Sequence, residues 1–77
     1  ELRNRFFEDV RAGRLSLAEA VRAMRRISRL TQPEFAKHRG ISLGALKQIE
    51  AGTGNPTIDT LEKIGEIFAV RVGFVLK

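Results

Sequence analysis

Seventy-seven residues carrying a net charge of +5 make one small domain, near the size where burial only just offsets chain entropy, so a compact core with one working face is expected and a deep enzymatic cleft is not. Hydrophobic residues at 43% and charged residues at 30% form an ordinary globular balance; no apolar run approaches the roughly 20 residues of a membrane span, and no apolar block after a basic start suggests a signal peptide. The lack of cysteine excludes disulfides, thiolate zinc sites and cysteine nucleophiles, and it fits a reducing compartment such as the cytoplasm.

In chain order, Leu2, Phe6, Phe7 and Val10 recur at helical spacing and are followed by Gly13, which predicts a leading amphipathic helix within residues 1–13. Its apolar residues are read as a cover for the core rather than a groove for a partner. Ser16-Leu17-Ala18-Glu19 has the form of a capping box and predicts a second helix from Leu17. At about 100° per residue, Leu17, Ala20, Val21, Met24 and Ile27 fall in one arc of that helix, and Arg22, Arg25, Arg26 and Arg29 fall in the opposite one. An arginine stripe without interleaved acids favours a phosphate-facing surface over a merely solvated one.

Thr31-Gln32-Pro33-Glu34 is a second capping box with proline in the first turn, predicting a third helix to Arg39 that ends at Gly40. Ser42 caps a fourth, which runs to Ala51 and is closed by Gly52. Two helices joined by so tight a glycine turn form a helix-turn-helix. After the loop at Gly54-Asn55-Pro56, Thr57 caps a fifth helix whose apolar face is Ile58, Leu61, Ile64, Ile67 and Phe68. Gly65 inside this helix costs about 1 kcal/mol against alanine, which suggests close packing there. From residue 70 to 77 the period changes to two: Val70, Val72, Phe74 and Leu76 alternate with Arg71, Gly73, Val75 and Lys77. That is the pattern of a half-buried strand. No other segment reads as strand, so the natural partner is the same segment of a second copy.

Charge is distributed unevenly. Residues 1–31 hold eight arginines and four acids, whereas residues 53–77 hold three bases and three acids. Polyanions lead as partners of the basic half, and the neutral third is left for self-association.

The stretch from Val21 to Val70 resembles the Xre/Cro family of helix-turn-helix DNA-binding proteins, in Arg25, Leu30-Thr31-Gln32, Phe35-Ala36, Gly40-Ile41-Ser42, Leu46, Ile49-Glu50, Gly52, Asn55-Pro56, Leu61, Ile64 and Val70. The basic N-terminal half with a terminal pairing strand is also similar to HipB-like antitoxins. With this resemblance the chain reads as an all-α, five-helix, lambda-repressor-like fold: the leading helix within residues 1–13, an Xre/Cro-like helix-turn-helix domain over residues 16–69, and a β-strand over residues 70–77 that pairs between protomers. The resemblance also implies that Gln32 and Ser42 hold DNA phosphates and that Arg25 pairs with Glu50. The arc of the fourth helix carrying Leu43, Gly44, Lys47, Gln48 and Ala51 becomes the candidate reading surface, opposite Ala45, Leu46 and Ile49.

Lys47 and Gln48 are then the hydrogen-bonding readers, Leu43 a contact for a thymine methyl and Gly44 a point of close approach. The backbone of Thr53, Gly54 and Asn55 is a phosphate contact, as is Arg22 on the arginine stripe. Arg39 is open between a snorkelling side chain and one more phosphate contact. Lone His38 is assigned no role and no metal site. Asp59, Glu62 and Glu66 are helix-start and surface acids rather than a catalytic pair, and the glycine-rich loop lacks the ending of a nucleotide-binding one. The sequence therefore reads as no enzyme and needs no cofactor. The expected function is a homodimeric repressor on an inverted-repeat operator, with an autoregulating antitoxin that neutralises a toxin as the alternative.

Overall fold

The computed structural model of the chain describes residues 1–74 and contains five α-helices, α1 (Leu2–Arg11), α2 (Leu17–Ser28), α3 (Gln32–Arg39), α4 (Leu43–Ala51) and α5 (Ile58–Gly65), with a 3-10 turn over Glu66–Phe68. Four of the five starts are set by a hydroxyl. Ser16, Thr31, Ser42 and Thr57 each accept from the backbone N–H three residues on, and Glu19 and Glu34 return a bond to their N-cap backbone to complete two capping boxes. Those bonds from Ser16 and Thr31 hold both carboxyls below the usual carboxylate range.

The core runs through every helix: Phe6 of α1, Val21 and Met24 of α2, Phe35 and Ala36 of α3, Leu46 and Ile49 of α4, Ile64 of α5 and Phe68 after it. α1 is tied down by aromatic contact. The Phe6 ring meets Phe68 edge to face at 5.5 Å between centroids, which matches the expectation that the leading helix covers the core, although Leu2 and Val10 remain exposed. α3 and α4 form the helix-turn-helix. Gly40 at φ 69° turns the chain between them, a backbone position that glycine occupies without strain, and the Ile41 N–H reaches back to the Ala36 carbonyl at 3.0 Å.

Three expectations change. α2 stops at Ser28, and Arg29, placed on the arginine stripe as though helical, is a left-handed cap at φ 58°. The fifth helix tightens into the 3-10 turn after Gly65; with about 3.0 residues per turn instead of 3.6, Phe68 points inward while Ile67 is left exposed, as is Ile58 at the first turn. The left-handed Ala69 (φ 56°) then folds the chain back, and the Val70 N–H bonds the Gly65 carbonyl at 3.2 Å. A Cβ on Gly65 would lie 2.6 Å from the Val70 carbonyl oxygen, so close packing at this glycine is real.

Third, residues 70–74 form no strand within the chain. A strand exists through its ladder, and one copy offers Val70, Val72 and Phe74 nothing to pair with. Leu76, the last of the expected pairing residues, lies outside the described residues. Among the described residues no helix is long and apolar enough to cross a membrane.

Candidate nucleic-acid interface

The centre of the site is Glu50, buried in the last turn of α4. Arg25 of α2 grips it with two bonds, Nε to Oε2 at 2.7 Å and Nη2 to Oε1 at 2.9 Å. Gln32 Nε2, from the first turn of α3, donates to Oε1 at 3.2 Å. Arg25 Nη1 also donates to the Leu30 carbonyl at 3.2 Å, so one guanidinium ties α2, the α2–α3 connection and α4 together. Burial pushes the Glu50 carboxyl up, but the hydrogen bonds from Arg25 and Gln32 and the charges of Arg25 and Arg22 outweigh it and leave the group below the usual carboxylate range. Bidentate pairing of this kind sets geometry as much as energy. The pair expected between Arg25 and Glu50 is therefore present, and it positions α4.

Arg22 has a role that the helical arcs did not show: its Nη1 donates to the backbone carbonyl of Glu50. A cation at the carbonyl end of α4 is favoured by the helix dipole. Two members of the arginine stripe, Arg22 and Arg25, thus lean onto α4, while Arg26 and Arg29 stay exposed. Arg22 retains further N–H donors, because a guanidinium carries five.

On the outer face of α4, Gly44, Lys47, Gln48 and Ala51 are exposed, and a Cβ at Gly44 would meet nothing within 4 Å. Leu43 differs from its expected place on this arc: it is half-buried and packs against the core. Gln48 lies against the following loop. A Cβ on Gly54 would fall 2.7 Å from its Oε1, and the Thr53 N–H donates to the Gln48 carbonyl at 2.9 Å. The loop residues Thr53, Gly54 and Asn55 are exposed beside it. Gln48, Thr53 and Asn55, with Thr57 and Thr60 of the α5 start, line one shallow depression. Ser42 accepts from the Ala45 N–H at 3.1 Å, which leaves its hydroxyl hydrogen free to donate.

Arg39 is resolved against both readings made from the sequence. Its side chain is buried, with the guanidinium 4.3 Å from the Phe35 ring centroid, Nε donating to the Ile64 carbonyl at 3.3 Å and Nη1 donating to His38 Nδ1 at 2.6 Å. Burial pulls its pKa down. Through these contacts it clamps the end of α3 to the end of α5. Its separation of four residues from Phe35 was the available signal, since such pairs meet on one helix face.

A tight two-helix unit, an exposed outer face on its second helix and a buried arginine–glutamate lock define a helix-turn-helix DNA-binding domain. The family model described as helix-turn-helix, of Xre/Cro type, matches residues 21–75, and the chain belongs to that family of DNA-binding regulators. No curated protein and no solved structure gives a significant match. Among the described residues no group of three or more His, Asp or Glu is arranged to hold a metal ion.

Proposed function

We propose that the chain is a sequence-selective transcriptional repressor that binds an inverted-repeat operator as a homodimer, with α4 in successive major grooves. The observation that carries this reading is the Glu50 lock. It joins α4 to α2 and to the first turn of α3, while one turn away Lys47 and Gln48 stay exposed. Rigid positioning of a helix with free polar residues on its outer face is what base readout requires.

Lys47 presents an ammonium to guanine O6 and N7, and Gln48 an amide suited to adenine. Gly44 leaves room for the backbone to approach the groove. Gln32 at the start of α3, Ser42 at the start of α4, the Thr53–Asn55 backbone and Arg22 contact phosphates on either side, aided by the N–H groups that helix starts direct at anions. With only two long polar readers, part of the selectivity comes from the shape and bending of the DNA. Val70, Val72, Phe74 and Leu76 pair the two copies, and the two-fold axis sets half-sites about one helical turn apart, roughly 34–36 Å between centres.

Selection of bound sites from random duplex DNA tests the whole reading. A palindrome with that spacing is the expected result; recovery of unrelated sequences, bound as well as any competitor, removes sequence-selective binding, and a single unrepeated motif removes the dimer.

A further inference from the structure

Three arginines from two helices share a recess between α1 and α2. Arg5 of α1 and Arg22 and Arg26 of α2 line this space of about 370 Å³, with Asp9 and Glu19 as the acids on its wall. Both acids are already engaged. Asp9 Oδ1 accepts from Arg14 Nη1 at 3.0 Å, and Glu19 Oε1 accepts from the Ser16 backbone N–H at 2.8 Å to close the capping box. Arg5 and Arg26 form no ion pair among the described residues, and Arg22 is bonded through Nη1 to the Glu50 carbonyl. Arg22 and Arg26, four residues apart on one helix, repel each other, and Arg5 brings a third positive charge to the same space. Such an arrangement opposes itself in the free chain and is relieved once an anion lies among the three.

We propose that this recess takes a phosphate of the DNA backbone beside the groove that α4 enters, with Arg5, Arg22 and Arg26 as its donors, so that α1 adds a DNA contact outside the helix-turn-helix unit. The inference rests on the reading that places α4 in the major groove. Continuity with that interface selects the partner. Gln32 and Arg22 both bond Glu50 in the last turn of α4, so two of the phosphate-facing side chains gather at that end, and Arg22 carries the surface from there into the recess. Arg26 lies one turn further along α2, about 40° round from Arg22. The chemistry agrees, because guanidinium forks match the oxygens of a phosphate. Such a contact reads no base; it adds affinity and salt dependence to every sequence. Arg5 projects from a fixed helix, since its neighbour Phe6 is buried and meets the Phe68 ring at 5.5 Å. The helix-turn-helix family pattern covers residues 21–75, so Arg5 lies outside it.

The test is a salt series of fluorescence anisotropy with the full chain, on a mixed-sequence duplex and on a duplex carrying its selected site. Arg5→Ala/Arg26→Ala is compared with Arg5→Lys/Arg26→Lys, which keeps the charge, and with Arg11→Ala/Lys63→Ala, which removes the same charge away from the recess wall. Arg11 is on the same helix as Arg5 but about 120° round from it. Arg5 and Arg26 are exposed, so their truncation leaves the domain folded, which thermal unfolding checks. In Arg5→Ala/Arg26→Ala the slope of log affinity against log salt should fall by about 0.9 on both duplexes, as the loss of one phosphate contact implies, while the other two variants keep the wild-type slope. An unchanged slope in Arg5→Ala/Arg26→Ala, or an equal fall in Arg11→Ala/Lys63→Ala, overturns the recess as a contact and leaves α4 in the groove, which Lys47→Ala tests separately. Inorganic phosphate bound by the free chain and lost in Arg5→Ala/Arg26→Ala, beside an unchanged slope on DNA, assigns the recess to a small anion and overturns the proposal. A wild-type chain that binds neither duplex overturns both readings.

Discussion

Glu50 is the residue on which most of the interface geometry depends, because removing its charge strands Arg25 as well as freeing Gln32. Glu50→Gln is expected to cost roughly 1.5–3 kcal/mol of stability, the range for hydrogen bonds to charged groups, and a double-mutant cycle with Arg25→Ala should be strongly non-additive in denaturant unfolding. Additive losses would mean that the pair does not interact. The pH dependence has a definite sign. The folded carboxyl titrates below the usual carboxylate range, so its stabilisation is fully present above that range and is lost as pH falls through the lower, folded value. Acid titration of stability should therefore be shallower in Glu50→Gln than in the wild type. Lys47→Ala should relax preference between operator sequences by about 1–3 kcal/mol at one base pair. Arg22→Ala should weaken all duplexes alike, reduce the slope of log affinity against log salt by about 1, and also lower stability through the lost bond to the Glu50 carbonyl.

At the scale of helices, two glycines of equal propensity should respond in opposite directions. Gly44 is exposed in α4 with open space around its Cα hydrogen, so Gly44→Ala should stabilise the fold by about 0.5–1 kcal/mol. Gly65 faces the Val70 carbonyl; Gly65→Ala should destabilise by about 1–3 kcal/mol through overpacking, despite the same gain in helix propensity. Thermal unfolding of both variants reads the signs directly. The N-caps were legible in sequence because each is a local device, a hydroxyl meeting an N–H three residues away. The ends of helices were less so. Arg29 and Ala69 take left-handed backbone without being glycine, and the chain tightens after Gly65 in the turn that carries Phe68 to Phe6 of a distant helix.

For the whole molecule, charge is distributed unevenly between the two ends of the chain. The arginine-rich first half, through α2, braces α4, and the neutral end carries the exposed Val72 and Phe74. Deleting Arg71–Lys77 should halve the mass measured by sedimentation equilibrium and reduce operator affinity far more than affinity for a single half-site. An unchanged mass would refute dimerisation through this segment.

The sequence by itself determined the helix starts, the helix-turn-helix and its family, the pairing of Arg25 with Glu50 by resemblance, and most of the exposed arc of α4, since all are written in short spacings or in a family pattern. Only the tertiary structure decided that Arg39 is a buried clamp, that Arg22 bonds a backbone carbonyl, that Leu43 leans into the core and that α5 ends in a tighter turn. The physical reason is separation along the chain. Arg22 meets residue 50 and Arg39 meets residue 64, contacts 28 and 25 positions apart, and no helical arc records which distant carbonyl a long side chain will find.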